Sequence, residues 1–511
     1  MPGPATIGPS TLGRLIRVGW VLIRSDALLP RELGPHLPAG IRFLSHLLRL
    51  ISSKRGRSGQ PGQRLAACLE VLGPVAIKLG QFLSTRADIF GAAFAEDLAR
   101  LKDQLPPFSM EQARRDVESA LGQPIELLFG QFDPPVNAAS LAQAHHARLL
   151  DGREVAVKVL RPGIERRVAA DIQAMALAAR LVQGWLPAAS RLEPVAFAAT
   201  VSRTLEFELD LRFEAAGADE LRLAMADQGY MSAPNVIWDR VARRVLTLTW
   251  APGMALSDPA ALDQPGLSRK RLADDLVRAF LCQALDHGIF HADLHEGNLF
   301  VDATGHLTAV DFGIVGRLGP GERRYLAEIL WGFLRRDYGR IADVHFEAGY
   351  VGTDQDRGAF GQALRAVGEP IFGRDASEVS MGRILTQLFE ITALFSMRLR
   401  PELILLQKTM VTVEGVARRI DPTHDIWAAA EPVVRRWITR ELSPATRLRS
   451  LANDGARWVG TLARVQEPQV TVPMPQVIPI QPRASPISAW FAFALGALAA
   501  GLALGLTTLL R

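Results

Sequence analysis

Apolar residues recur along this chain with two periods, helical over long stretches and alternating over short ones between them. Residues 11–28 set Leu12, Leu15, Ile16, Trp20, Leu22 and Ile23 among Arg14, Arg17 and Arg24, a partly amphipathic helix that either lies on a membrane surface or packs on the main domain. The arginines interrupt the apolar run, so it is not a secretory signal peptide. Residues 52–64 are a basic flexible linker. Helical spacing resumes from Leu65 to Leu83, broken at Gly73-Pro74, and the second piece carries Lys78-Leu79-Gly80-Gln81. A further helix runs to about Leu101. The prolines at 106 and 107 stop it, because proline cannot continue a helix, and Ser109 caps the next helix, which ends at Leu121.

From Phe129 the period changes. Asn137-Ala138-Ala139-Ser140 reads as a small-residue loop and residues 141–149 as a strand. Asp151-Gly152 predicts a two-residue hairpin turn, and Glu154 to Val159 is a buried-type strand with one lysine, Lys158. Residues 163–225 return to helical spacing. Val245 to Trp250 is a strand ending in Ala-Pro-Gly253, and 269–289 is a helix. Residues 299–301 and 306–310 form a hairpin about a turn at Asp302–Gly305. A helix starts near Glu322, and helices continue to about residue 450. Residues 465–486, rich in Pro, Val and Gln, are an extended linker.

Residues 487–510 contain no charge. At about 1.5 Å per residue they are long enough to cross a hydrocarbon core of about 30 Å, which predicts a single C-terminal transmembrane helix. Gly501 and Gly505, with Ala497 one turn earlier, offer a close-packing face for a homodimer. Arg449, Arg457, Arg464 and Arg483 precede the span and only Arg511 follows, which assigns the catalytic part to the cytoplasmic side of the inner membrane.

Lys and Arg number 58 against 53 Asp and Glu. So mild an excess, scattered along helices, excludes a nucleic-acid stripe and matches anionic lipid head groups better. The two cysteines, Cys68 and Cys282, form no C-x-x-C. A disulfide framework and a zinc site are excluded, and a reducing compartment is implied. There is no G-x-G-x-x-G flavin fingerprint and no iron triad, which removes hydroxylase chemistry.

The candidate chemistry lies between Phe290 and Gly316. His291-Ala292-Asp293 is followed by Asn298, then the hairpin, then Asp311-Phe312-Gly313. This is the layout of a kinase catalytic loop joined to a metal-binding D-F-G. Asp293 lies near the attacking oxygen as base or water-positioning group, and Asn298 and Asp311 hold Mg²⁺ on the phosphates of ATP or ADP. Val155-Ala156-Val157-Lys158 supplies a phosphate-pairing lysine. Thr249 and Trp250 fall where a kinase hinge meets adenine. Glu206, Glu208, Asp210 and Glu214 cluster in one segment, and the sequence leaves open whether Glu208 or Glu214 orients Lys158. No Ala-Pro-Glu follows Gly313, so the platform that docks a protein substrate is missing.

With these residues in place the chain resembles the UbiB family of atypical kinase-like ATPases, associated with ubiquinone biosynthesis. The match extends over about 65–440. The family's KxGQ is Lys78-Leu79-Gly80-Gln81, its ExD is Glu208-Leu209-Asp210 followed by Glu214-Ala215, and its alanine-rich loop is Asn137-Ala138-Ala139-Ser140. The resemblance implies an α+β, two-lobed, atypical protein-kinase-like fold with a helical N-terminal KxGQ extension and the C-terminal transmembrane helix. Its segments are an amphipathic segment and basic linker (1–64), the KxGQ extension (65–125), a small lobe with inserted helices (126–250), a large helical lobe (251–450), a linker (451–486) and the span (487–510). The resemblance also implies that Lys78 pairs a carboxylate of the ExD segment, that Gly80 and Gln81 belong to a regulatory lid closing the peptide cleft, and that the alanine-rich loop favours ADP and restrains activity. The implied partners are membrane lipids such as cardiolipin, ubiquinone precursors and the enzymes that process them. The alternatives are a kinase acting on proteins in trans and a non-catalytic scaffold that binds nucleotide and lipid.

Overall fold

Proline and glycine decide where the N-terminal helices begin and end. A computed structural model describes residues 9–27, 59–84, 92–99, 105–185, 194–369 and 401–441, with single positions at 52, 101, 391, 394, 395 and 397. Helix α1 is Pro9–Arg24, α2 Pro61–Leu72, α3 Pro74–Ser84 and α4 Ala92–Ala99. The break between α2 and α3 falls on Gly73 at φ 101°, a conformation open to a residue without a Cβ. Pro74 then starts α3, where its missing N–H removes no helical bond. Leu65, Cys68, Leu69, Leu83 and Leu98 form a core that Leu22 and Ala27 join, and Arg14 pairs with Asp171. Packing on the domain is one of the two expectations for the N-terminal helix.

Helix α5 (Met110–Leu121) is capped by Ser109, whose Oγ accepts the Gln112 N–H at 3.3 Å; the short α6 (Ile125–Leu128) follows. Strands β1 (Gln131–Ala138), β2 (Ala142–Arg148) and β3 (Glu154–Leu160) lead into helices α7 (Ile164–Trp185), α8 (Pro194–Glu208) and α9 (Leu211–Ala226). The short β4 (Met231–Ser232), then β5 (Val245–Thr249) and β6 (Met254–Ala255), precede helix α10 (Arg269–Cys282). Next come β7 (Ile289–His291), β8 (Leu299–Val301), β9 (Leu307–Ala309) and β10 (Val315–Arg317). Helices α11 (Pro320–Arg335), α12 (Tyr338–Glu347), α13 (Arg357–Gly368), α14 (Pro401–Ile420) and α15 (Ile426–Glu441) complete the described chain.

Contacts divide these elements into two units. Among the described residues, one holds the chain to Ala215 with Val236–Trp250, and the other holds Ala216–Asn235 and the chain from Ala251. The first contains an antiparallel sheet ordered β1-β2-β3-β5. Val155, Val157 and Val159 point from one face into a core with Ala113, Val117, Ile125, Leu128 and Phe129. The opposite face, with Ala144, His146, Ala156 and Lys158, is only half-buried. Strand β1 was not expected, because Pro134 and Pro135 obscure it. Proline survives on an edge strand, and the register shifts on both sides of Pro135. Asn137 and Ala138 therefore end a strand, and only Ala139 and Ser140 remain loop. The Asp151-Gly152 turn is wider than expected: Leu149 N–H bonds the Arg153 carbonyl at 2.9 Å and Gly152 N–H bonds the Leu149 carbonyl at 3.0 Å, giving a three-residue loop of the type that closes with a left-handed glycine.

The second unit holds a sheet ordered β4-β9-β8-β6, a β7–β10 pair, and helices α10 to α15. Gly253 turns the chain at φ 85°, where a Cβ would collide with the Val301 carbonyl, so the Ala-Pro-Gly turn admits no other residue. Helix α10 ends in a π turn, Gln283–His287, which helical periodicity did not predict.

The expectation of a C-terminal transmembrane helix is corrected. Among the described residues no helix is long and apolar enough to cross a membrane. The longest, Ile164–Trp185 and Pro401–Ile420, have the length but carry charges throughout, from Glu165 to Arg180 and from Glu402 to Arg419. Residues 487–510 lie outside the described residues, as do the Gly501/Gly505 dimer face and the linker at 451–486. The fold is α+β with a helical region at its C-terminal side, and the inner-membrane localisation inferred from the span is withdrawn with it.

Candidate active site

The first unit presents two lysine–glutamate pairs. Alternation along β3 puts Lys158 on the half-buried face, opposite Val157. Its Nζ donates to Glu214 Oε1 at 2.7 Å. Glu214 stands in the first turn of α9, after the chain breaks at Leu209-Asp210, and its side chain is 9% exposed. Lys78, from α3, meets Glu208 Oε2 at 3.1 Å. The acidic cluster thus separates by partner: Glu214 with Lys158, Glu208 with Lys78, and Asp210 with Arg212, whose Nη2 lies 2.6 Å from Asp210 Oδ2. The Arg212 hydrogen bonds hold the Asp210 carboxyl below its ordinary range, against its partial burial. Gly80 is a packing glycine, since a Cβ there would collide with Leu101 and Leu69. The Gln81 carbonyl accepts the Ser84 hydroxyl at 2.6 Å.

The register of β3 with β5 sorts the hinge residues. Lys158 is opposite Leu246, Ala156 opposite Leu248, and Val155 opposite Thr249. Residues directly opposite share a face, so the Thr249 side chain lies on the face away from Lys158. Ala156 and Leu248, not singled out from the sequence, share the lysine's face; alternation along the two strands was the signal. Trp250 donates its backbone N–H to the Glu154 carbonyl at 3.0 Å, and its ring meets His146 edge-on, centroids 4.7 Å apart. Ser140 is fully buried.

In the second unit residues 291–298 are held by His291, which is fully buried. Its Nδ1 accepts the Asp293 N–H at 3.1 Å, its Nε2–H donates to the Val310 carbonyl at 3.0 Å, and its own N–H donates to Gln283 Oε1 at 3.0 Å. Burial pushes the imidazole pKa down, so the ring is neutral and this pairing fixes its tautomer. One side chain thereby joins the backbone at Asp293 to the strand that delivers Asp311. Thr409 Oγ1, from α14, donates to the Ala292 carbonyl at 3.1 Å, and Glu296 pairs with Arg419. Gln283 and Thr409 escape sequence reasoning, because their partners are set by the π turn and by a distant helix.

Asn298 Nδ2 donates to the Asp293 carbonyl at 3.0 Å, and the Asn298 carbonyl accepts the Val310 N–H at 2.9 Å. With its amide nitrogen so engaged, Asn298 offers Oδ1 to a cation. Asp311 sits at φ 62°, one of three non-glycine residues at positive φ among the described residues. Such a conformation costs about 1–3 kcal/mol and concentrates at functional sites. Among the described residues no three His, Cys, Asp or Glu gather as a metal cluster. One carboxylate and one amide oxygen suit Mg²⁺ carried largely by phosphates and water.

Four buried histidines, His145, His291, His345 and His424, have pKa values pushed below 6.5, in each case chiefly by burial. His145 shows the cause: Nδ1–H donates to the Asp133 carbonyl at 2.8 Å and Nε2 accepts from Gln143 at 2.9 Å, so no site is left for a second proton. Below pH 6.5 the unfolded chain binds protons that the folded chain refuses. Their contribution to stability is complete above 6.5 and is lost as the pH falls through the depressed values. The melting temperature is expected to drop between pH 7.5 and 5.5; a pH-independent melting temperature over that range contradicts the neutral assignments.

A strand lysine tied to a helical glutamate, an H-x-D loop with its asparagine, and a D-F-G turn define a protein-kinase-like protein. A family model, the ABC1 atypical kinase-like domain, matches residues 100–345, and the UbiB helical domain matches 364–425. "Probable protein kinase UbiB" of Marinobacter nauticus is 39% identical over 455 residues, 88% of this chain and 82% of that protein. Its namesake in Xanthomonas axonopodis pv. citri is 40% identical over 453 residues, 86% and 81% of the two chains. The solved complex of Rv3197 with erythromycin from Mycobacterium tuberculosis has a TM-score of 0.50 at 23% identity and covers 77% of this chain and 98% of its own, a likeness of fold. The chain belongs to the UbiB family of atypical kinase-like proteins, the family its KxGQ, ExD and D-F-G segments resemble.

Proposed function

We propose that the chain is a Mg²⁺-dependent kinase-like ATPase that serves ubiquinone biosynthesis and couples nucleotide hydrolysis to the handling of a lipid precursor. The observation that carries this reading is the Lys158–Glu214 pair at 2.7 Å: an amine held on a half-buried sheet face is suited to phosphates, and the glutamate keeps it aimed. In this reading Lys158 binds the α- and β-phosphates, Ala156, Leu248 and Trp250 receive the base, and Asn298 and Asp311 hold Mg²⁺, which would neutralise phosphate charge. Asp293 positions a water or takes its proton. Lys78 and Glu208 regulate the site as an ion pair.

The relatives are named as protein kinases, and transfer to a protein is the second reading. The stretch between Gly313 and Pro320 weighs against it. Strand β10 occupies it, Val315 lies opposite His291, and α11 follows at once, which leaves no length for a substrate-docking segment.

The test uses the full chain with Mg-ATP. Phosphate release is measured with and without a phenolic ubiquinone-precursor analogue in cardiolipin-containing vesicles, and label transfer to added protein is followed in parallel. Stimulated release without labelled protein is expected. Labelled protein supports the second reading, and nucleotide binding with no release under any condition leaves only a scaffold.

A further inference from the structure

Arg161, just beyond β3, holds three backbone carbonyls. Its Nε and Nη2 donate to the Ala139 carbonyl at 2.9 and 2.8 Å, its Nη1 to the Pro106 carbonyl at 2.9 Å, and Nη2 also reaches the Leu105 carbonyl at 3.2 Å. Its own N–H donates to the Leu141 carbonyl at 2.8 Å. The segment it grips is bonded to the alanine-rich loop a second time, through Leu105 N–H to the Ala138 carbonyl at 3.2 Å. A third tie is Phe108 N–H to Gln143 Oε1 at 2.9 Å. Residues 105–108 are the exit of the N-terminal helices, so the loop and that exit move as one piece.

The bonding also decides which backbone groups the loop offers. Ala139 N–H donates to the Ala142 carbonyl at 2.8 Å and is therefore turned away from any phosphate. In a planar trans peptide the C=O and the next N–H point oppositely. Fixing the Ala139 carbonyl on Arg161 thus fixes the direction of the Ser140 N–H as well. The Cβ atoms at 138 and 139 narrow the backbone's choices, and the guanidinium removes what freedom is left. A diphosphate loses nothing by this, whereas the terminal phosphate of a triphosphate lacks the donor that a released Ser140 amide supplies.

We propose that Arg161 is a positioning residue that sets the preference between nucleoside di- and triphosphate, by locking residues 137–140 to the exit of the N-terminal helices. The proposal rests on the nucleotide-binding function above. Arg161→Met keeps most of the stem and removes every donor; Arg161→Lys restores one. The affinities of the full chain for Mg-ATP and Mg-ADP are measured by calorimetry, with amide exchange at Leu105, Phe108 and 137–142 recorded on the same samples. In Arg161→Met the ratio Kd(ATP)/Kd(ADP) is expected to fall about tenfold, the scale of one hydrogen bond at about 1.4 kcal/mol, with faster exchange in both segments. Arg161→Lys is expected to fall between that variant and the parent. If Arg161→Met does not fold, Leu105→Pro removes the amide bonded to Ala138 without touching Arg161 and is expected to shift the ratio the same way. A parent that binds both nucleotides and variants whose ratio stays within twofold overturn the proposal alone, as does an equal loss of both affinities. A parent that binds neither nucleotide overturns the nucleotide function and the proposal with it.

Discussion

Asp311→Asn is expected to abolish Mg-dependent nucleotide binding while leaving the fold intact. The substitution is nearly isosteric, and its backbone setting favours it. Asp311 sits at φ 62°, and asparagine is among the few residues enriched in that region. Asp311→Ala would confound lost charge with backbone strain; asparagine isolates the charge. The neighbouring residues have supports of their own: Val310 is held through Asn298 and His291, and Phe312 is 2% exposed. Removing one partner of a close charge pair costs about 2–5 kcal/mol, so Mg-ADP affinity should fall at least about thirtyfold. Calorimetry with Mg-ADP, beside a thermal melt of the metal-free protein, makes the comparison. A variant that melts like the parent and binds Mg-ADP equally well removes Asp311 from the metal site.

What could be read from the sequence was local. Gly73-Pro74 fixes a helix break because one residue lacks a Cβ and the next lacks an N–H. The hairpin at 299–309 follows from two short apolar runs about Asp302–Gly305, where Asp302 Oδ1 accepts the N–H groups of Thr304 and His306 at 2.8 and 3.0 Å. Lys158 stands out as the one lysine in an alternating strand. What could not be read depends on partners far along the chain. Glu208 and Glu214 are equivalent in composition, and only the break between α8 and α9 sends one to Lys78 and the other to Lys158. Thr249 has the right position for a hinge, but its face is set by pairing with Val155, and a shift of one residue reverses every side chain of a strand. Strand β1 is concealed by two prolines that only an edge position tolerates. The C-terminal span was inferred from apolarity and length alone, and no described helix supports it.

The separation of the two lysine pairs leads to the other large effect. Glu214→Gln is expected to lower ATP turnover by about two orders of magnitude, while Glu208→Gln leaves nucleotide binding in place and alters its regulation. The argument rests on what each glutamate restrains. Lys158 has a side chain 25% exposed and a partner 9% exposed, and Glu214→Gln replaces the charged anchor at 2.7 Å by a neutral amide. Turnover depends on that placement more than binding does, since a small misplacement of a positioning group can cost about a hundredfold. Affinity for ADP should therefore fall less than kcat. The stability cost should be modest, about 1 kcal/mol, because the pair is partly solvated and such pairs contribute little. Lys78 and Glu208, exposed by 14% and 12%, form a separate pair. Steady-state kinetics with nucleotide titrations on both variants distinguishes the assignments. If Glu208→Gln is the variant that loses turnover and Glu214→Gln keeps it, Lys158 is not the phosphate lysine that its pairing implies.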